Sequence, residues 1–234
     1  MKSDIYRIKK PIIDTDNYHG FKLRYRDNFG DRYVMRDMLK KDYGRIPQNP
    51  KTVIDVGAHI GLFSLTAIRA GAEKIYAFEP EIFNYELLCH NMKINGLEDK
   101  VSCINKGIGA RGQAKLYIHP LNSGGSSTYL GLAKDLIPEN YQTVNLISIR
   151  DIFDQYDIKY CDLLKIDCEG SERDILNDLD DDLTSKIGQI SLEIHDMQLI
   201  ESSVEKLKKW YSAECTNLGS RSGKTAWVFR KNNQ

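Results

Sequence analysis

The run Val53-Ile54-Asp55-Val56-Gly57-Ala58-His59-Ile60-Gly61 is an apolar segment that carries one aspartate and then breaks at two glycines. Such a run reads as a strand entering a tight turn and then a helix, the place where open α/β sheets bind ligands beyond the carboxyl ends of their strands. Gly57 and Gly61 would let the turn close and let a ligand approach the backbone. Glu79 stands 18 residues after Gly61, at the end of the next apolar run. An acid there can accept hydrogen bonds from both hydroxyls of a ribose. A dinucleotide turn would need glycine at 57, 59 and 62, and His59 and Leu62 fill the last two places. That departure weakens a pyrophosphate ligand. S-adenosylmethionine has no phosphate but carries an ammonium and a sulfonium, so Asp55 beside the turn suits it. The plainer alternative is that Asp55 and Gly57 only shape a strand end and that Glu79 is an exposed loop acid.

A second set of side chains could take up a proton. If the ligand is S-adenosylmethionine, transfer of its methyl would be an in-line displacement, driven mainly by holding nucleophile and methyl in line at about 3 Å. A hydroxyl attacks poorly unless its proton is being removed, and a positioned base supplies roughly 10²–10⁴-fold. The candidates are Asp167, Glu169, Glu172, Glu193 and His195. His195 ends the apolar run 190–194, at the same predicted sheet edge as Asp167, and an imidazole pKa near 6.5 suits base work. Each has a plainer reading: His195 as a solvated cap, Asp167 as a ligand that does not titrate, Glu169 and Glu172 as acids favoured at a helix N-terminus. Magnesium across Asp167, Glu193 and His195 is conceivable chemically. No spacing demands a metal, and none is expected.

Other motifs exclude more than they assign. Ser222-Gly223-Lys224-Thr225 resembles part of a phosphate loop, but Leu218 stands where its first glycine belongs. Asp178, Asp180, Asp181 and Asp182 lack the glycine and closing glutamate of a calcium loop and read as a solvated helix end. Asn122–Thr128, rich in Gly and Ser, is either a substrate loop or a plain connector.

The elements that must position these residues alternate. Strands are predicted at 52–56, 74–78, 101–105, 114–119, 143–149, 162–166 and 190–194. Helices follow 61, 80 and 170, the last opened by a Ser171–Asp174 capping pattern. An amphipathic helix runs through Ile200, Val204, Leu207 and Tyr211, and 214–217 with 225–229 form a hairpin. Alternating βα units predict a mostly parallel central sheet with helices on both faces. Residues 1–50 read as an extension packing on a 51–234 core, with a turn at 28–31 and a short helix over 32–43.

Composition bounds the rest. With 33 basic and 33 acidic residues the formal charge is zero, so the total shows no basic excess of the kind nucleic-acid binders carry. Five cysteines, odd in number and without a CxxC pair, argue against a disulfide framework or structural zinc. No apolar leader or membrane-length run is present, so a cytoplasmic protein without membrane contact is expected.

Asp55–Gly61, Ala77-Phe78-Glu79-Pro80 and above all Lys165-Ile166-Asp167-Cys168-Glu169-Gly170-Ser171-Glu172 together resemble the FkbM methyltransferases. The last string is similar to the family's K-I-D-x-E-G-x-E throughout. Val144–Ile152 resembles the segment before it, with Arg150 where leucine is usual. The resemblance spans roughly residues 50–200. It implies a Rossmann-like class I methyltransferase with a seven-stranded, mostly parallel sheet and a C-terminal antiparallel hairpin, using S-adenosylmethionine. It also implies methylation of a hydroxyl on a sugar, glycan or small metabolite. By matching position, Asp55, Gly57, Gly61 and Glu79 would hold the cofactor, with His59 in the same turn. Gly107 and Ile108 would meet the adenine, and Asp167 would touch the cofactor and face the methyl, with Glu169 and His195 beside it for catalysis. The rivals are an RNA ribose methyltransferase, which a basic surface near Arg24, Arg26 and Arg32 would favour, and an inert nucleoside-binding module. A base methyltransferase is disfavoured, because Asp167-Cys168-Glu169-Gly170 replaces the usual (Asn/Asp)-Pro-Pro-aromatic turn.

Overall fold

The computed structural model describes residues 12–27, 29–38, 46–131, 135–194, 197–217 and 225–232. The chain opens with β1 (Ile12–Tyr18), β2 (Phe21–Arg26) and α1 (Phe29–Met38). Next come β3 (Thr52–Val56), α2 (Leu62–Arg69), β4 (Lys74–Phe78), α3 (Ile82–Ile94) and β5 (Val101–Ile104). A small insertion follows, with β6 (Gly107–Ile108), β7 (Gly112–Tyr117) and β8 (Tyr141–Ile147). The chain continues through α4 (Ile149–Gln155), β9 (Cys161–Ile166), α5 (Glu172–Asp178), α6 (Asp181–Ser185) and β10 (Ile187–Ile194). It ends with α7 (Met197–Leu207), β11 (Tyr211–Asn217) and β12 (Thr225–Lys231).

Seven strands form the central sheet in the order β11-β12-β10-β9-β3-β4-β5. The pairs among β3, β4, β5, β9 and β10 are parallel, while β12 runs antiparallel to β10 and β11. Parallel strands covered on both faces read as unbroken apolar runs, which is why 53–56 and 163–166 show little alternation. Successive residues still face opposite layers. Val53 and Leu163 join a core with Leu65, Leu88 and Met92 from α2 and α3. Ile54 and Leu164 join one with Ile152, Ile175, Leu176 and Leu207 from α4, α5 and α7. Strand order reverses at β3: the chain builds outward through β4 and β5, then returns to lay β9 against the other side of β3. That reversal leaves a crevice at the carboxyl ends of β3 and β9.

The β1–β2 hairpin covers the α3 side, with Tyr18, Leu23 and Tyr25 in the same core as Leu88 and Met92. Its attachment is made by two asparagines one helical turn apart. Asn91 accepts from Arg24 N at 2.7 Å and donates to Arg24 O at 3.0 Å, while Asn95 accepts from Lys22 N at 2.9 Å and donates to Lys22 O at 2.8 Å. Each side-chain amide therefore does for one residue of β2 what a neighbouring strand would do. Alternate residues of a strand point their N–H and C=O groups the same way, and residues i and i+4 share one face of a helix, so the two spacings match.

The hairpin turn is at His19-Gly20, with φ of 53° and 91°, and not at 28–31. Two positive φ values match the twist of flanking strands, whereas Phe29 and Gly30 open α1. The described part of that helix runs to Met38, and residues 39–43 of the predicted helix lie outside the described residues. The strand expected to reach 149 stops at Ile147, because Ser148 and Asp151 close a capping box that starts α4. Ser171, by contrast, makes no capping hydrogen bond at the start of α5. Tyr211 leaves the helix and begins β11, its buried hydroxyl placed 3.0 Å from both Thr184 O and Ile187 O. Asp180 caps α6 by accepting from Leu183 N, and the nearby Arg150 pairs with Asp180 and Asp182. The departure at 150 thus matches the local acids. Among the described residues no helix is long and apolar enough to cross a membrane. Ser222, Gly223 and Lys224 lie outside the described residues.

Asn91→Ala should cost about 1–3 kcal/mol, because it strands buried backbone groups rather than removing a surface contact. Denaturant unfolding gives the loss, and amide exchange should quicken at Arg24 while the central strands keep their protection.

Candidate active site

The turns after β3, β4 and β9 and the end of β10 face one cleft, roofed by the β7–β8 insertion and α1. Gly57, His59 and Glu79 line it, as do Gly107, Ile108, Asp167, Glu169 and Glu193. Asp55 and Gly61 do not, and His195 lies outside the described residues.

Gly57 has a φ of +73°, and a Cβ there would stand 1.9 Å from the carbonyl oxygen of Asp167. The glycine is thus required by the backbone of the neighbouring turn rather than by a ligand. Gly61, at φ +96°, caps α2, and a Cβ on it would meet Met92 at 2.7 Å and Leu88 at 2.9 Å. Its bareness lets α2 pack on α3. Neither glycine is explained by the ligand approach that the spacing had implied. Gly107 is similar, because a Cβ would press on Leu146 at 2.5 Å.

Asp55 is fully buried behind the turn. It accepts a hydrogen bond from Ser64 Oγ at 2.7 Å, and Lys165 Nζ stands 3.2 Å from its Oδ1. That second contact is an ion pair without hydrogen-bond alignment, since Oδ1 has no hydrogen-bond partner. Lys165 donates instead to Val56 O at 3.0 Å and Gly57 O at 2.7 Å. Burial pushes the ammonium toward neutrality, but Asp55 and Asp167 outweigh it and keep its pKa above the ordinary value. Asp55 and Lys165 are register partners on adjacent strands, so they share a side of the sheet. The acid expected to meet the cofactor's ammonium meets a lysine of its own chain.

Glu79 lines the cleft. It is buried at the end of β4, its Oε2 accepts from His59 N at 2.8 Å, and its Oε1 accepts from Glu81 N at 2.9 Å. Burial raises its pKa to about 7 against the pull of those two N–H groups. A carboxylate has about four lone-pair sites, so Oε2 keeps capacity for one more donor, while Oε1 also has Asn84 Nδ2 at 3.5 Å.

Asn84 carries no sequence signal here, while Arg26 reads only as basic surface, Asp31 as part of a turn and Ser123 as part of the 122–128 loop. Arg26 donates to both oxygens of the buried Asp31, at 3.0 and 2.9 Å, and to Asn84 Oδ1 at 2.5 Å. Asn84 in turn donates to Ser123 O at 3.1 Å and stands 3.5 Å from Glu79 Oε1. The Ser123 hydroxyl bonds Asp31 and lies 3.0 Å from His59 Nε2. Burial raises the Asp31 carboxyl, while the attraction of a His59 cation, the Arg26 guanidinium and the Ser123 hydroxyl together bring its pKa below the ordinary value. Burial drives His59 down to about 4, so near pH 7 the ring is neutral. A Cβ on Gly30 would stand 2.4 Å from Ser123 N, so that glycine lets 122–124 settle on α1. These contacts join residues 26, 31, 84 and 123, whose spacing shows no period. Glu169 sits at φ +51° beside Gly170 at +126°, and its carbonyl accepts from Ser127 Oγ at 2.5 Å. The insertion is thereby tied to the turn after β9.

A doubly wound sheet with an acid at the end of its second parallel strand and a ligand cleft at its switch point is the class I methyltransferase arrangement. Residues 55–216 match the family described as "Methyltransferase FkbM domain", and the chain belongs to that family. It is 27% identical over 194 residues to Methyltransferase sdnD of Sordaria araneosa, covering 71% of this chain and 74% of that one. It is also 27% identical over 200 residues to 31-O-demethyl-FK506 methyltransferase FkbM of Streptomyces tacrolimicus, covering 74% of each. A crystal structure of Methyltransferase FkbM from Methylobacillus flagellatus KT superposes with a TM-score of 0.54 at 16% identity, over 78% of this chain and 44% of that one. This chain therefore spans less than half the length of that solved relative, and the likeness between them is one of fold. The cofactor is S-adenosylmethionine, and the residues present fit it: Glu79 Oε2 keeps an acceptor site for a ribose hydroxyl, and His59 Nδ1 is a buried atom still lacking a partner.

Gly57→Ala should unfold the turn or displace Asp167, lowering cofactor affinity by at least about tenfold where the protein still folds; calorimetry beside a thermal melt separates the two. Binding of a ribose to the ionised Glu79 would make affinity rise with pH and level off above about 7. Below that value it should fall with a limiting slope of about tenfold per pH unit. Dissociation constants of S-adenosylhomocysteine at several pH values test this, and Glu79→Gln should be weak and flat throughout.

Proposed function

We propose that this methyltransferase alkylates a hydroxyl oxygen on a sugar, glycan or small metabolite. The observation that carries the reading is the row of carboxylates beside the cleft. Asp167, Glu169 and Glu193 line it at the carboxyl ends of β9 and β10, next to the Gly57 turn. S-adenosylmethionine supplies a methyl on a sulfonium that departs as a neutral thioether. A hydroxyl oriented by Asp167 forms the new C–O bond as the C–S bond breaks, and its proton passes to the carboxylate. A carboxylate placed at the end of β9 is suited to accept it. The relative from Streptomyces tacrolimicus, whose name specifies 31-O-demethyl-FK506, supports oxygen as the acceptor atom.

The surface that would favour RNA is largely neutralised. Arg24 pairs with Asp14, Arg26 with Asp31 and Arg32 with Asp27. Three arginines each matched to a carboxylate leave little positive field for a phosphate backbone.

An acceptor screen with methyl-labelled cofactor over glycans, small hydroxylated metabolites and RNA tests the reading. Label in RNA alone would refute it. With the acceptor found, Asp167→Asn should lower kcat by about 10²-fold or more, while the cofactor dissociation constant changes by less than about threefold. A variant that loses cofactor affinity and turnover in parallel would give Asp167 a binding role instead.

A further inference from the structure

His59 Nδ1 is buried and has no hydrogen-bond partner, although His59 lines the cleft. Buried polar atoms are nearly always paired, and an exception calls for an explanation. Whether this nitrogen is a donor or an acceptor follows from counting protons. Asp31 receives Arg26 on both oxygens, at 3.0 and 2.9 Å, and as a carboxylate it has no proton to give. The Ser123 hydroxyl therefore spends its one proton on Asp31 Oδ1. Its oxygen can then only accept at His59 Nε2, 3.0 Å away. Nε2 carries the ring proton, and in a neutral imidazole Nδ1 is left as a bare lone pair.

The backbone N–H of the same residue donates to Glu79 Oε2 at 2.8 Å, so the imidazole is anchored beside the acid assigned to the ribose. Asp55, the other acid that spacing had offered to the cofactor, is taken by Ser64 and Lys165. The cleft thus has an unused acceptor next to a ligand that carries O–H and N–H donors. We propose that His59 Nδ1 accepts a hydrogen bond from bound S-adenosylmethionine, and that Arg26, Asp31 and Ser123 are positioning residues that fix the tautomer in which it can do so. This rests on the assignment of the cleft to that cofactor. Arg26 and Asp31 lie outside the matched residues 55–216, so part of the cofactor's grip comes from the hairpin and helix that precede the family domain. The ligand's donor is either a ribose hydroxyl or the amino-acid ammonium, and the two are separable.

The experiment is calorimetry on the full chain with S-adenosylhomocysteine and with 5′-methylthioadenosine, which lacks the amino-acid end. Asparagine places a carbonyl oxygen near the position of Nδ1, whereas glutamine reaches the position of Nε2. His59→Gln should weaken S-adenosylhomocysteine about tenfold, and His59→Asn should stay within about threefold of the parent protein. Loss on both nucleosides assigns the contact to a ribose hydroxyl, and loss on S-adenosylhomocysteine alone assigns it to the ammonium. Equal weakening in the two variants, or none in either, overturns the proposal. Long-range nitrogen–proton correlation on the parent protein gives a readout independent of folding in the variants. It should show Nδ1 unprotonated and shifting when the nucleoside binds, and in Ser123→Ala or Asp31→Asn the tautomers should mix. A protonated Nδ1 in the parent protein would also overturn it. Failure of the parent protein to bind either nucleoside would instead sink the cofactor assignment on which the proposal stands.

Discussion

The contact on which the site depends is the one between the turn after β3 and the turn after β9. Gly57 has no side chain because the carbonyl of Asp167 occupies the space where one would be. Lys165 reaches across the same seam to the carbonyls of Val56 and Gly57 and to the carboxylate of Asp55. Two strands far apart in sequence are thus locked at their carboxyl ends by backbone contact and a buried ion pair. A buried pair is weak evidence for stability, because desolvation cancels much of its attraction, but removing one partner is costly. Here its value is positional. It fixes where Asp167 stands relative to the glycine turn, and so fixes the two ends of the cleft against one another.

Around that seam the site is closed by segments that the sheet itself does not supply. The hairpin and α1 bring Arg26 and Asp31, the insertion brings Ser123, and α3 brings Asn84. Each contributes hydrogen bonds that end at Glu79 or His59. The small residues in these segments have the same explanation as Gly57: Gly30 is bare because Ser123 N lies where its Cβ would be. The hairpin is held to α3 by side-chain amides that imitate a strand partner. Movement of the hairpin would therefore reach Asp31, and through Ser123 the imidazole of His59.

The parallel strands and the order of the βα units were legible in the chain because burial on both faces makes a strand an apolar run, and such runs are bounded by glycine or acid. The capping box at Ser148–Asp151 decides where β8 gives way to α4, and the apolar run that reads as a strand to 149 hides it. The turn at 28–31 was misplaced because Asn, Gly and Asp are turn formers wherever they stand, and only packing shows that Gly30 and Asp31 belong to a helix. Glu79 sits in the cleft that its spacing implied. Asp55 does not, although its spacing is equally good, since spacing places a residue along a strand but does not say which neighbour its side chain will meet.

By itself the sequence determined the class of fold, the strand ends at which the cleft opens and the family, because those depend on local pattern and on short motifs read in order. Only the tertiary structure decided which acids line the cleft and which meet a lysine, and which ring nitrogen of His59 lacks a partner. Those outcomes are set by pairs such as 55 with 165 and 31 with 123. No periodicity links such positions, and their electrostatics exist only once burial has removed the water between them.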